Sequence, residues 1–539
     1  MKKWLSIALL FVMMASILTA CGEAPAAPSG DGSNVEDVDV TDQTIEAGAV
    51  QADEVNVGIP RNLESLSPFA VSGMAGGYVV DTMYETLGGY YGFGGEFKGM
   101  AMKSFELDDT GYIWHIELYD NIYDTEGNHI TASDIKFFYD EGKARANANM
   151  NYIDSIDIKD DYNFDMVMNV SEAGRFERIC TGWYIFSEAA FKASPDEMAS
   201  DPVGTTPYRL TNYVSGSSLT FEATGNYWND PANSLYGYDN VKKIVFHVIP
   251  EAAQMSNSLE TGTIDIAQSL TLTEVNRLQA AGFDTIATDA HLCYMLFFNC
   301  DADEGYFADK PELRKAIVYA INREDIIEVV ASGAGTELKN IGSSNYGDYS
   351  PAAVEGDYYA YDPAKAAELV EKSGYDGSVL KLVVSNNEIH QNAAVCIKAD
   401  LEAVGIKVDI DAQENNIYDQ SKADPTQFDL ILENKGDQAY MIGLIRNSFD
   451  LNNFKKSGKP NDTFIIDQTL QDLIVKASSE AGHTDANVKA AADYIAEQCY
   501  GVGLFVLKNF YAYNPAKISK VVLCQWDGIV PGCCTYLAS

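Results

Sequence analysis

LKLVV (380–384), QNAAVCIKADLEAV (391–404), IKVDI (406–410) and FDLIL (428–432) follow one another in this chain. The first, third and fourth are short apolar runs of strand length. The second sets Ile397, Leu401 and Val404 on one helical face, and Gly405 ends it. A short helical turn near Tyr418 joins the last two runs. Strand, helix, strand, helix, strand in this order predicts a parallel, doubly wound sheet, because parallel neighbours need a crossover between them.

Working outward, VNVGI (55–59) reads as an apolar strand stopped by Pro60, with a helix predicted over 78–87. Between them lies LESLSPF (63–69), a loop of turn formers after a strand's carboxyl end, the place where open α/β sheets bind ligands. WHIEL (114–118), a turn at 126–128 and Thr131 capping a helix over 132–143 read as hairpin then helix, so this middle part is predicted to be antiparallel. The last strands are expected at 503–507 and 521–524. No internal repeat is visible.

The chain has 539 residues, 46% hydrophobic and 11% aromatic, enough apolar surface for two or three domains. Its 79 acidic against 37 basic side chains leave a net charge of −42, which repels phosphate backbones and excludes nucleic acid as a partner. That charge suits an exported, solvated protein. Residues 1–21 begin Met-Lys-Lys, continue as an apolar run from Trp4 to Leu18 and end Thr19-Ala20-Cys21, the pattern of an export signal too short to span a membrane. Residues 22–53 are Ala, Pro, Ser, Gly, Asp, Glu and Thr without a bulky apolar cluster, and read as a flexible tether. The eight cysteines beyond Cys21 are irregularly spaced and dictate no disulfide framework. If Cys533 or Cys534 pairs, Cys524 or Cys499 is the expected partner, since adjacent cysteines bridge each other poorly.

No catalytic or metal motif emerges. The six histidines fall in no metal-ligand spacing. The glycine-rich GGYYGFGG (88–95) lacks a P-loop lysine, and Phe97 stands where a dinucleotide fingerprint needs glycine. No Gly-x-Ser-x-Gly elbow presents a nucleophile. Asp124-Thr125-Glu126-Gly127 has its glycine two positions early for a calcium loop and is better read as a turn. A carboxylate pair for glycoside hydrolysis is defined by distance in space and stays open among so many acids.

Several segments, taken in order, resemble the family 5 solute-binding proteins of ABC importers, the group of oligopeptide-, dipeptide- and nickel-binding receptors. They are VDTMYETL (80–87), residues 114–135 with Asn121 and Ile122 in the family's spacing, PVGTTPYRL (202–210), NYW (226–228), LETGTIDIA (259–267), FFN (297–299), LRKAIVYAINR (313–323) and YDPAKA (361–366) followed by Gly374. Thr206 replaces a family glycine. The resemblance spans roughly residues 54–525, and these motifs identify a scaffold rather than a ligand. It implies an α/β fold, the two-lobed type II periplasmic-binding-protein-like fold, with an additional inserted α+β domain. Lobe one would comprise 54–91, 203–290 and 500–539, the insert 92–202 and lobe two 291–499. Leu18-Thr19-Ala20-Cys21 resembles the bacterial lipobox, which implies lipidation of Cys21 and a monomer anchored on the outer face of the cytoplasmic membrane.

The implied function is non-enzymatic: capture of a peptide by hinge closure and delivery to membrane permease subunits, with no cofactor, no metal and no catalytic residue. Alternatives are a non-peptide solute such as a nickel chelate or sugar, a signalling receptor without transport, and a surface-anchored hydrolase. In peptide-binding relatives an aspartate after the strand matching 428–432 receives the α-ammonium, and Asp437 in ENKGDQAY (433–440) falls there. This loop departs from the family in lacking its tryptophan. Further candidates are Tyr440, Arg446 as a carboxylate clamp, Phe69, Tyr294, Trp183 and Trp526.

Overall fold

The computed structural model of the chain describes residues 50–71, 73–90, 96–229, 240–343, 346, 348, 360–436, 440–451, 461–524 and 528–537. Cys21, Asp437 and Trp526 lie outside them, as do the signal and tether segments. No described helix is long and apolar enough to cross a membrane.

The decisive stretch folds as read. Strand Val379–Ser385 pairs in parallel with Lys407–Gln413 and with Leu430–Lys435. Helix Glu388–Ala403 crosses between the first two, burying Ile397 and Leu401, and Gly405 takes the left-handed φ of +91° that stops it. Asn387 caps its start by accepting from His390 N. Val379–Ser385 and Leu430–Lys435 carry buried apolar runs because both faces are covered there, whereas the edge strand Lys407–Gln413 alternates and buries only Val408.

These strands belong to one large mixed sheet, ordered Lys407–Gln413, Val379–Ser385, Leu430–Lys435, Asp284–Phe298, Gly501–Tyr513, Ile266–Ala267, Val55–Ile59, Lys243–Val248, Ser218–Ala223, Tyr208–Val214. Gly335–Glu337 pairs with Gly501–Tyr513 off this path. A separate antiparallel sheet holds Met102–Leu107, Ile113–Leu118, Asn163–Met168 and Ile153–Ile158, as predicted for the middle part. The hairpin expected from 114–118 through the 126–128 turn is not one. Strand Ile113–Leu118 pairs with Met102–Leu107 and Asn163–Met168, and the turn closes only the bridge Tyr123 to His129. Asp124 organises that turn, accepting from Glu126 N, Asn128 N and the Ser187 hydroxyl. Thr131 caps helix Ala132–Ala144 in a full capping box with Asp134.

Two hydrophobic cores divide the molecule. One gathers Val55, Val57, Leu219, Phe246, Ile286 and Tyr511 with the four-stranded sheet's Ile116, Phe164 and Met166. The other gathers Leu296, Phe298, Ile317, Leu382, Ile397, Ile431 and Phe505. Among the described residues, only the antiparallel strands Asp284–Phe298 and Gly501–Tyr513 run from one core into the other within the sheet. Their register breaks between Asp289 and Cys293, where the cores meet. The fold is thus a two-lobed α/β fold of the type II periplasmic-binding-protein kind.

Two further sequence expectations need correction. The helix predicted over 78–87 runs Gly73–Met83. Its expected last turn is drawn away because the buried Glu85 carboxyl accepts from Tyr227 OH at 2.5 Å and Trp228 Nε1 at 2.7 Å, tying the 80–87 and 226–228 motifs together. The strand expected at 521–524 reduces to one bridge, Leu523 to Ile529. Among the described residues no disulfide joins the cysteines, and Cys499 lies in the second core while Cys524, Cys533 and Cys534 lie in the first. At the family's glycine position, Thr206 donates its hydroxyl to Thr82 O at 2.7 Å.

Candidate functional site

The registers fix which way the strands point. Leu430–Lys435 is antiparallel to Asp284–Phe298, with Lys435 opposite Cys293, so its carboxyl end faces the first lobe. Ile266–Ala267 is antiparallel to Gly501–Tyr513, with Ala267 opposite Ala512, so its carboxyl end faces the second lobe, and Val55–Ile59 and Lys243–Val248 run parallel to it. Both lobes therefore present the carboxyl ends of their parallel strands to each other across the two shared strands. Open α/β sheets bind ligands at those ends.

Where the second lobe's strands end toward the first, buried side chains are rich in chemistry. Tyr294, opposite Asn434, stacks on Phe505 with ring centroids 4.5 Å apart and meets His390 edge-on at 5.7 Å. His390 follows strand Val379–Ser385 and packs on Tyr418 from its other side at 6.1 Å. Burial, aided by the Lys422 charge, pulls its imidazole down to about 4, so the ring is neutral and can accept from Ser385 N. Tyr418 donates to Leu432 O at 2.6 Å. Next along the strand, Glu433 is 5% exposed, with Oε2 at 3.7 Å from Lys422 Nζ and 3.8 Å from Lys435 Nζ. Its Oε1 is buried without a hydrogen-bond partner among the described residues. Lys435 donates to the buried Asp462. Burial pulls the Lys435 ammonium down, but Asp462 and Glu433 outweigh it and leave it above its ordinary value.

A second contact joins the lobes beyond the shared strands. Ala173 N donates to Ser478 O at 2.8 Å. Glu172 accepts from Arg175 at 2.9 and 3.0 Å and lies 3.5 Å from Arg446 Nε. Gly174, at φ +75° ahead of helix Arg175–Thr181, sits under the Tyr440 ring so closely that a Cβ there would fall 2.1 Å from Tyr440 Cδ2. Tyr440 precedes helix Met441–Phe449, whose first amides donate to Asp348, and its ring lies 5.0 Å from His483. His483 Nε2 is 3.1 Å from Asp348 Oδ2, a bond that raises the imidazole pKa.

The candidates read from sequence separate on this geometry. Tyr294 is buried in the second core beside the register break between the lobes, and Tyr440 and Arg446 lie in the lobe-to-lobe contact. Arg446 is 4% exposed and committed to Glu172, and burial, with Arg175 nearby, lowers its pKa. Phe69 packs among Phe138, Phe186 and Phe191 under the Arg145 guanidinium. Trp183 is fully buried and stacks on Phe138 at 5.1 Å. These two sit together in one aromatic core, away from Tyr294 and Tyr440. Asp437 and Trp526 fall outside the described residues. Sequence reasoning missed Glu172, Gly174, Glu433 and His483. One available signal was EAGRFER (172–178), whose charges interleave with residues a helix buries. Among the described residues no three His, Cys, Asp or Glu side chains are grouped to hold a metal.

Comparison with known proteins agrees with this architecture. Residues 96–449 match the family model described as bacterial extracellular solute-binding proteins, family 5 middle. Heme-binding protein A of Haemophilus influenzae is 26% identical over 238 residues, which is 41% of this chain and 40% of that protein. The glutathione-binding protein of Pectobacterium atrosepticum is 22% identical over 373 residues, 67% of this chain and 70% of its own length. Among solved structures, a putative peptide-binding protein, AppA, from Clostridium difficile superposes with a TM-score of 0.75 at 18% identity, covering 90% of this chain and all of that one.

Proposed function

Because the chain belongs to the bacterial extracellular solute-binding proteins of family 5, we propose that it captures a peptide between its two lobes, closes over it at the shared strands and hands it to the permease of an ABC importer. The protein is a receptor and not an enzyme. The observation that carries the reading is the opposition of the two sets of strand carboxyl ends across the register break between Asp289 and Cys293. Two strands are a narrow joint between cores that each pack independently, and such joints absorb hinge rotation.

A peptide suits the second-lobe wall. Stacked Tyr294 offers apolar area with a polar tip, while Glu433 and Lys435 offer both signs of charge for a solute's termini or side chains. On the family resemblance Asp437, between Lys435 and Tyr440 in the chain, receives the α-ammonium. The neighbouring family members named above, one glutathione-binding and one a putative peptide binder, support this ligand class. We assign lobe one to 54–91, 203–290 and 500–539, the insert to 92–202 and lobe two to 291–499. The protein acts as a monomer outside the cytoplasmic membrane, held through a lipid on Cys21 after cleavage of residues 1–20.

Mass spectrometry of small molecules released on denaturing the purified protein tests the ligand class. Heterogeneous peptides of narrow length range are expected. A single non-peptide mass would overturn the peptide assignment and keep the receptor.

A further inference from the structure

Glu177 is the group in the lobe-to-lobe contact that the receptor reading does not use. It lies on helix Arg175–Thr181, three residues past Gly174 and hence on the side that meets Tyr440. Its Oε2 is buried and finds no hydrogen-bond partner among the described residues. The groups whose charges reach it come from both lobes: Tyr90 and Cys180 from its own, and Tyr440, Glu480 and His483 from the other. Arg178 follows on the same helix, and Glu172 and Arg175 are committed to each other. On the far side, Asp348 holds His483, and Arg446 faces Glu172 and Glu480.

A carboxyl with one oxygen buried and unpartnered can sit in such a contact at little cost only with a proton on it. We propose that closure of the lobes takes up a proton at Glu177, so that the receptor holds its solute more tightly in acid and releases it as the surroundings become alkaline. This rests on the reading of the protein as a receptor that closes over its solute.

The sign follows from what opening does. Separation of Ala173 from Ser478 and of Gly174 from Tyr440 withdraws Tyr440, Glu480 and His483 and returns Glu177 to water, where a glutamate titrates near its ordinary value. In the closed contact burial pushes it up to about 7, with the Glu480 charge adding to the effect. Between those values the closed form binds a proton that the open form lacks, so closure weakens as pH rises through the window and levels off above it. Glu480 is shifted upward by burial in the same direction. The His483–Asp348 bond lies within one lobe and persists on opening, so it adds little to the difference.

The test uses the intact purified protein and, as its probe, the small-molecule fraction that heat releases from it, filtered and added back at graded amounts. Compaction is followed by small-angle scattering at pH 5, 6.5 and 8. For the wild type, the amount needed for half-maximal compaction is expected to rise about ten- to hundredfold from pH 5 to pH 8. Glu177→Gln, which carries a permanently neutral isostere, should lose most of this rise and keep only the smaller pH dependence that Glu480 and the solute's own protons give to both proteins. The same pH dependence in both proteins would overturn the proposal. Should the variant not fold, potentiometric titration of the wild type at pH 6 decides: uptake of about one proton per closure supports it, and none overturns it. Absence of compaction at any pH would instead defeat the receptor reading itself.

Discussion

Substituting Gly174 by alanine isolates the lobe-to-lobe contact from the rest of the molecule. The new Cβ would lie 2.1 Å from Tyr440 Cδ2 and 2.7 Å from Cε2. Those atoms are near the ring's base, so the whole residue must retreat by about 1 Å or more to reach van der Waals distance. Overpacking of this kind costs about 1–3 kcal/mol. The cost falls on the closed form alone, because the lobes that collide come apart on opening. Binding should therefore weaken about five- to hundredfold. A second cost, about 1 kcal/mol for an alanine held at φ +75°, falls on open and closed forms alike and should appear in the melting temperature instead. The assay is a double-mutant cycle: affinity for the solute released from the purified protein, measured for wild type, Gly174→Ala, Tyr440→Ala and the pair. With the ring removed, Gly174→Ala should no longer change affinity. An equal loss in both backgrounds would refute the steric argument, and no loss in either would show that closure does not bring these residues together.

Arg446→Met should weaken solute binding by about 1–3 kcal/mol with less effect on unfolding in denaturant, since Glu172 keeps Arg175 as a partner. A change confined to stability would remove Arg446 from the closure contact. Lys435→Ala leaves Glu433 and Asp462 buried beside each other and should cost about 3–5 kcal/mol in chemical denaturation, with Lys435→Arg recovering much of it. Asp81 and Glu85 are both buried, and burial raises each to about 7. As pH rises from about 4 to 7 the unfolded chain has given up protons that the native state still holds, so each group removes up to about 3–4 kcal/mol of stability across that window. The melting temperature should be higher at pH 5 than at pH 8, and Asp81→Asn with Glu85→Gln should flatten the difference; a wild-type maximum at pH 8 would contradict this.

The second lobe was legible because its signals are local. Strand expectations of 380–384, 406–410 and 428–432 became Val379–Ser385, Lys407–Gln413 and Leu430–Lys435, with apolar runs and Gly405 setting the borders. The helix ending at Met83 was misjudged because its first turn is glycine-rich and its expected end is claimed by Glu85, whose partners Tyr227 and Trp228 are far away in sequence. Of the shared strands, only 503–507 was legible as strand, and 297–299 entered only as a family motif. Their polar first-lobe halves, such as Thr288 and Asn509, break the apolar pattern. The contact of Glu172, Gly174 and Glu177 with Tyr440, Arg446 and His483 joins residues roughly 260 to 310 positions apart, and no local pattern encodes such a meeting. Aromatic residues misled in the other direction: Phe69 and Trp183 look like ligand platforms in one dimension and are core rings in three.

The central claim, closure of two lobes on a solute, is tested most directly by stripping and restoring that solute. The radius of gyration of the purified protein would be measured by small-angle scattering as isolated, after removal of bound small molecules, and after adding the released fraction back. The account predicts expansion on stripping and full recovery of the compact value, near 23 Å for a closed body of this size. An unchanged radius through all three states would contradict it.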